Sequence, residues 1–252
     1  MADETAALLF DLASEQKALR DVLRAVEGDT WFAATPAKGW DIRDTVAHLA
    51  DTDEIAVDTC LQGRARPLND FGATLAGAED LTLWGVLRGR RMTGADVFAW
   101  WRRAAIDERE VLAGLDPATR VPWGLGMRVS SFITARLMET WAHGLDIRTT
   151  LGVESPDTPR LRNVAWLAIR ALPYAFSVAG VEPPGVPIRF ELRGPDDDVW
   201  TFGPPDVADV VRGDAGEFCR VFVQRLARAD ATTLIAEGDA ADAALDVARA
   251  YL

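Results

Sequence analysis

Residues 130–152 read SSFITARLMETWAHGLDIRTTLG, and the reading of this stretch decides the fold. It reads as one long helix in which Glu139 and His143, four residues apart, share a face one turn from each other. A carboxylate and an imidazole placed in this way can converge on a single ion. The chain has only two histidines, and the other, His48, lies in GWDIRDTVAHLADTDE at residues 39–54, a second helical stretch. The sequence therefore predicts one metal site, formed by His48, Glu139 and His143 across two packed helices.

The surroundings of these residues sharpen that expectation. Met138, Trp141, Ala142 and Leu145 flank the pair on one helix, and Val46, Ala47 and Leu49 flank His48 on the other. A carboxylate buried there without a partner would cost several kcal/mol, so it has to be paired, protonated or bound to an ion. Two histidines and one glutamate match a common donor set of catalytic zinc, with one position left open. The competing reading is plain: a Glu four residues before a His arises often by chance, and a lone interior histidine is commonly a hydrogen-bonded core residue. Asp146 and Asp51 each follow a histidine by three residues, and each is a candidate acceptor for an imidazole N–H or else a solvated acid. Gly144 weakens its helix by about 1 kcal/mol relative to alanine, which close approach of a neighbouring helix would explain.

Working outward, Leu8, Leu9, Leu12, Leu19, Val22, Leu23 and Val26 recur at three- and four-residue spacings and predict an amphipathic helix from Asp3 to about Val26. Asp41 reads as the N-cap of a helix running to about Leu61. Residues 63–81, rich in glycine with Pro67 and Asn69, read as a long loop, a place where pockets are often bordered. Another helix follows Thr93 or Gly94 and stops before Pro117, a connector leads into residues 130–152, and a fifth helix runs from Thr158 to about Ala179. After PYAFSVAGVEPPGVP the texture changes. IRFELRG and VWTFG make a hairpin signal, VADVVRG a third strand, and GEFCRVFVQRL and DAADAALDVARAYL two closing helices. The predicted class is α+β, with a four- or five-helix bundle over residues 1–182 and a small α+β domain over 183–252.

Composition narrows the partners. With 49% hydrophobic and 26% charged residues the chain has the make-up of a globular protein, and disorder is not expected. Its net charge of −12 and lack of a basic cluster argue against nucleic acid and anionic membrane as partners. No apolar run approaches the ~20 residues of a membrane span, and the acidic N-terminus lacks the features of a signal peptide. Cys60 and Cys219 form no CxxC and are expected to be reduced and buried, so a cytoplasmic protein is predicted. No dinucleotide fingerprint, phosphate loop, nucleophile elbow or HExxH is present, and the nine tryptophans read as core and pocket wall.

The segments TPAKGWDIRDTVAHLADTDE (35–54) and METWAHGLDIRTTLG (138–152) resemble the DinB-like four-helix metalloproteins. Within them, they resemble the group named for mycothiol-dependent maleylpyruvate isomerase. The resemblance implies His48, Glu139 and His143 as ligands of a divalent metal, zinc above others, and a C-terminal domain similar to sterol-carrier-type folds. It implies an isomerase or S-transferase whose partners are a low-molecular-weight thiol such as mycothiol and a small electrophile, in a monomer or homodimer. A metal-bound thiol is deprotonated outright. Its addition to a conjugated double bond, rotation and elimination would convert cis to trans. Arg220, Arg225 and Arg228 are candidates by location for binding a substrate carboxylate, and equally read as a solvated helix face. Two other classes stay open: a non-catalytic protein carrying a structural metal and a small apolar ligand, and a metal-dependent hydrolase with Asp51 as base.

Overall fold

The structure, a computed structural model, describes residues 2–62, 78–123 and 126–250. The chain divides into two compact units, Met1–Ser155 and Pro156–Leu252. The change of texture near residue 183 falls inside the second unit, because the helices over 161–179 belong with the residues that follow them.

The first unit contains α1 (Ala2–Leu23), a 3-10 turn (Gly28–Phe32), α2 (Ile42–Gln62), α3 (Ala78–Gly89), α4 (Gly94–Ala113), a two-stranded hairpin of β1 (Arg120–Val121) and β2 (Met127–Arg128), and α5 (Val129–Leu151). Local chemistry sets the helix starts. Asp41 caps α2, its Oδ1 accepting the Asp44 N–H at 2.7 Å. Thr93 caps α4, accepting the Asp96 N–H at 3.1 Å and donating to Asp96 Oδ2 at 2.7 Å. Helices α2 and α4, α1 and α5, α1 and α4, and α2 and α5 pack pairwise, so the four close into a bundle.

Most of the loop anticipated over residues 63–81 lies outside the described residues, but its end is already helical. Helix α3 was not anticipated, and two of its glycines, Gly85 and Gly89, serve as a packing face. A Cβ at Gly85 would stand 2.5 Å from Asp51 Cβ, and one at Gly89 would stand 2.3 Å from Ala47 Cβ. One turn of α3 thus lies directly on the turn of α2 that carries His48.

The bundle core is two apolar clusters with a polar interval between them. One cluster takes Leu19, Leu23, Ile42, Val46, Leu49, Val97, Trp101, Ala105 and Ile147. The other takes Leu8, Leu12, Ala56, Leu112, Phe132, Ile133 and Leu137. Between them Arg136 donates from Nε to Glu108 Oε1 at 2.8 Å and from Nη2 to Asp53 Oδ1 at 2.5 Å and Thr52 Oγ1 at 3.0 Å. Gln16 Nε2 donates to Glu108 Oε2 at 3.1 Å, so α1, α2, α4 and α5 all contribute to one buried polar layer. Burial, aided by the charge of Asp53, pushes Glu108 up to about 8, and burial also raises Asp53. Burial thus favours a proton on Glu108, beside the charge of Arg136.

In the second unit the anticipated helix over 158–179 is two helices, α6 (Leu161–Arg170) and α7 (Leu172–Ala179), because Pro173 starts a new first turn. The predicted hairpin is present as β3 (Ile188–Arg193) and β4 (Val199–Phe202), with Glu191 opposite Thr201. Strand β5 (Asp209–Asp214) pairs parallel to β3, and β6 (Ile235–Glu237), too short to read from sequence, completes the order β4-β3-β5-β6. Helix α8 (Ala215–Phe222) is capped by Asp214 and sets Phe218 edge-to-face against Phe190 of the sheet, ring centroids 5.7 Å apart. Helix α9 spans Asp239–Asp246. The class is α+β, a helical N-terminal unit followed by a small mixed one. Among the described residues no helix is long and apolar enough to cross a membrane.

Two outcomes test this account. Gly89→Ala gains up to about 1 kcal/mol of helix propensity but drives its Cβ into Ala47, and overpacking of about 1–3 kcal/mol wins, so the chemical-denaturation midpoint falls. An unchanged or higher midpoint would mean that α3 does not lie on α2. For Glu108, the folded state binds a proton that the unfolded state has released above its ordinary value of 4.5. Its contribution is therefore complete at acid pH and declines as pH rises toward about 8. Denaturation of wild type should accordingly lose stability relative to Glu108→Gln between about pH 5 and about pH 8, and parallel profiles would place no proton on Glu108.

Candidate metal centre

Helix α2 delivers His48 and helix α5 delivers Glu139 and His143 into the polar interval of the bundle. Glu139 Oε2 lies 3.5 Å from His48 Nε2 and 3.6 Å from His143 Nε2. One donor atom from each of the three falls within 4.8 Å of the other two. These separations are long for hydrogen bonds. Two donors each about 2.0–2.1 Å from a tetrahedral zinc lie roughly 3.3–3.4 Å apart, so the observed gaps match donors around an ion better than donors bonded to each other. The donor chemistry and the spacing both fit a divalent cation.

The protonation states point the same way. Burial drives His48 below its ordinary pKa and favours the neutral imidazole with a free lone pair. Burial works against the charge of Glu139, but the adjacent His143 and His48 outweigh it and hold the carboxyl well below its ordinary value. Glu139 is thus an anion in the bundle interior, with His48 and His143 beside it.

Of the two aspartates singled out by spacing, the structure brings one to the site. Asp146 Oδ2 lies 3.3 Å from His143 Nδ1, on the same helix. A proton on Nδ1, donated to Asp146, leaves the Nε2 lone pair facing Glu139 and His48. Asp51 instead lies against Gly85 of α3. Gly144 leaves ordinary contact distance, 4.0 Å, to Leu19 of α1, so an alanine would fit there and close approach does not explain the glycine.

Trp40, quoted in the sequence motif but given no role there, forms a wall. Its ring centroid is 5.0 Å from that of His48 and 5.9 Å from that of His143, with the second pair nearly parallel. Because it immediately precedes the Asp41 cap, the first turn of α2 fixes its position over the imidazoles. His48 and His143 keep 7% and 6% of their side-chain exposure and Glu139 keeps 18%, so solvent reaches the centre from the carboxylate side. The buried layer of Arg136, Asp53, Glu108 and Gln16 was also missed, although Arg136 stands one turn before Glu139 in sequence.

The C-terminal arginines are engaged within their own unit. Arg220 binds Asp157 with two nitrogens at 2.6 and 2.9 Å, Arg225 donates to the Val223 carbonyl at 2.7 Å, and Arg228 pairs with Asp242 and Asp246. Both cysteines are free thiols, Cys219 buried and Cys60 half-buried.

A family model described as the mycothiol maleylpyruvate isomerase N-terminal domain matches residues 12–148. Two uncharacterized proteins of Mycobacterium tuberculosis, one from each of two strains, are 37% identical to the chain over 245 residues, covering 96% of it and 93% of each relative. Crystal structures of the mycothiol-dependent maleylpyruvate isomerase and of a mutant of that enzyme superpose with TM-scores of 0.63 and 0.62 over 92% of each chain. At 14% identity this is similarity of fold. The matched segment runs from α1 through His48 to Glu139 and His143 and takes in more than half of the sequence, and on that ground the chain belongs to the mycothiol maleylpyruvate isomerase N-terminal domain family.

Proposed function

We propose that the protein is a divalent-metal enzyme of the thiol-dependent isomerase or S-transferase kind, with His48, Glu139 and His143 as the ligands of zinc and mycothiol as the thiol. The observation that carries this reading is the convergence of two buried imidazoles and one carboxylate, with Glu139 Oε2 3.5 and 3.6 Å from the two Nε2 atoms and all three donors within 4.8 Å of one another. Two imidazoles and a carboxylate suit zinc and leave a position for an exogenous donor.

The chain's own thiols support an outside nucleophile. Burial pushes Cys60 up to about 11 and Cys219 further still, so neither offers a thiolate at neutral pH. Zinc bound at the site would supply that chemistry by holding an exogenous thiol as thiolate. The protein's residues prepare for it. His48 and His143 present Nε2, Asp146 holds the His143 ring in its tautomer, and Glu139 brings a carboxylate to the set of ligands. Trp40 excludes water from the imidazole faces, and the electrophile has the Glu139 side by which to enter. Addition of the thiolate to a conjugated carbon, rotation about the resulting single bond and expulsion of the same thiolate make a cis–trans isomerase. Retention of the adduct with uptake of a proton makes an S-transferase. Free cysteines and a thiol co-substrate fit the reducing cytoplasm.

Elemental analysis of purified protein tests the site: near one zinc per chain in wild type, and loss of it in His143→Ala. Titration of the zinc-loaded protein with mycothiol beside a non-cognate thiol then tests the co-substrate, with selective binding of mycothiol expected. A folded wild type that takes up no metal would return both histidines to the status of core residues. Asp146→Asn should keep the fold and weaken zinc by about 10–100-fold in chelator competition, and wild-type affinity would remove Asp146 from the centre.

A further inference from the structure

We propose that Arg136 is the positioning residue of the metal centre: the polar layer it organises sets the spacing of α2 and α5 that brings His48 to Glu139 and His143. The inference rests on the metal reading of that trio. The two layers lie about one turn apart on the same two helices. Arg136 precedes Glu139 by three residues, and Thr52 and Asp53 follow His48 by four and five.

The connection is atom to atom. Arg136 Nη2 donates to Thr52 Oγ1 at 3.0 Å, and the Thr52 hydroxyl donates to the His48 carbonyl at 2.9 Å. A guanidinium on α5 is thereby tied through one hydroxyl to the peptide of a ligand on α2. Its other contacts, to Asp53 on α2 at 2.5 Å and to Glu108 on α4 at 2.8 Å, are short and charge-assisted, and Gln16 braces Glu108 from α1 at 3.1 Å. The ligand trio cannot do this work itself, because its own gaps of 3.5 and 3.6 Å are too long to bind the helices firmly. Spacing is therefore decided one turn away from the ligands.

Stability is a poor explanation for the layer. Arg136, Asp53 and Glu108 are 3%, 1% and 0% exposed, and a buried ion triad is commonly matched or exceeded in stability by apolar side chains of similar volume. What apolar side chains cannot supply is a directional tie to a particular turn of the neighbouring helix. Metal sites tolerate errors of only about 0.2 Å in donor position, so such a tie has a direct use.

The test is a triple variant, Arg136→Met, Asp53→Leu, Glu108→Met, compared with wild type. Thermal unfolding reports stability, chelator competition reports zinc affinity, and the visible spectrum of the cobalt(II) form reports donor geometry. The expected result is a folded protein whose zinc affinity is lower by about tenfold or more and whose cobalt spectrum departs from wild type. Wild-type affinity with a wild-type spectrum in the triple variant overturns the proposal. Should the triple variant fail to fold, Arg136→Lys decides, since it keeps the charge and loses the fork. Weakened zinc with unchanged helical circular dichroism supports positioning, and unweakened zinc overturns it. A wild type that binds no zinc overturns the metal reading and this inference together, whereas zinc binding indifferent to both variants overturns this inference alone.

Discussion

The carboxylates Asp53, Glu108, Glu139 and Asp146, a guanidinium and two imidazoles lie in the middle of a four-helix bundle, and the cost of taking charge out of water governs what each of them does. Two of the carboxylates, Asp53 and Glu108, face Arg136, and burial favours a proton on Glu108. Another, Glu139, lies beside the two histidines at 3.5 and 3.6 Å. The same penalty thus acts on two groupings about one turn apart: a salt-bridge layer around Arg136, and the cluster of Glu139, His48, His143 and Asp146.

The apolar parts of the bundle serve this arrangement. The two hydrophobic clusters above and below the polar interval seal it from solvent, and without that seal the charge-assisted contacts of Arg136 would be worth little. The Asp41 cap fixes the phase of α2, so that His48 faces α5 and Trp40 rests on the imidazoles. Helix α3, laid on α2 through Gly85 and Gly89, supports that turn from behind.

In the second unit the charged groups are committed locally. Arg220, Arg225 and Arg228 hold carboxylates or a carbonyl of their own unit, which accounts for their spacing on and after α8 without a substrate. Hydrophobic and aromatic contacts between α8 and the sheet then suffice to stabilise the small fold.

The sequence by itself determined the helical class of the first unit, the strand-bearing class of the second and the trio His48, Glu139 and His143. Each of these follows from short-range chemistry: apolar periodicity of three and four or of two residues, caps such as Asp41, and the i, i+4 rule that puts Glu139 and His143 on one face. With two histidines in the whole chain, the third donor had few places to be. Only the tertiary structure decided the rest. Glu108, in the run DERE, is indistinguishable in sequence from the solvated acids around it, and its burial depends on which way α4 turns against three other helices. Arg136 and Gln16, 120 residues apart, meet at Glu108, Asp146 reaches a histidine, and two glycines of α3 become a packing face. Side-chain periodicity tells a helix which face to bury, but the identity of the atom met on that face belongs to the neighbouring helix.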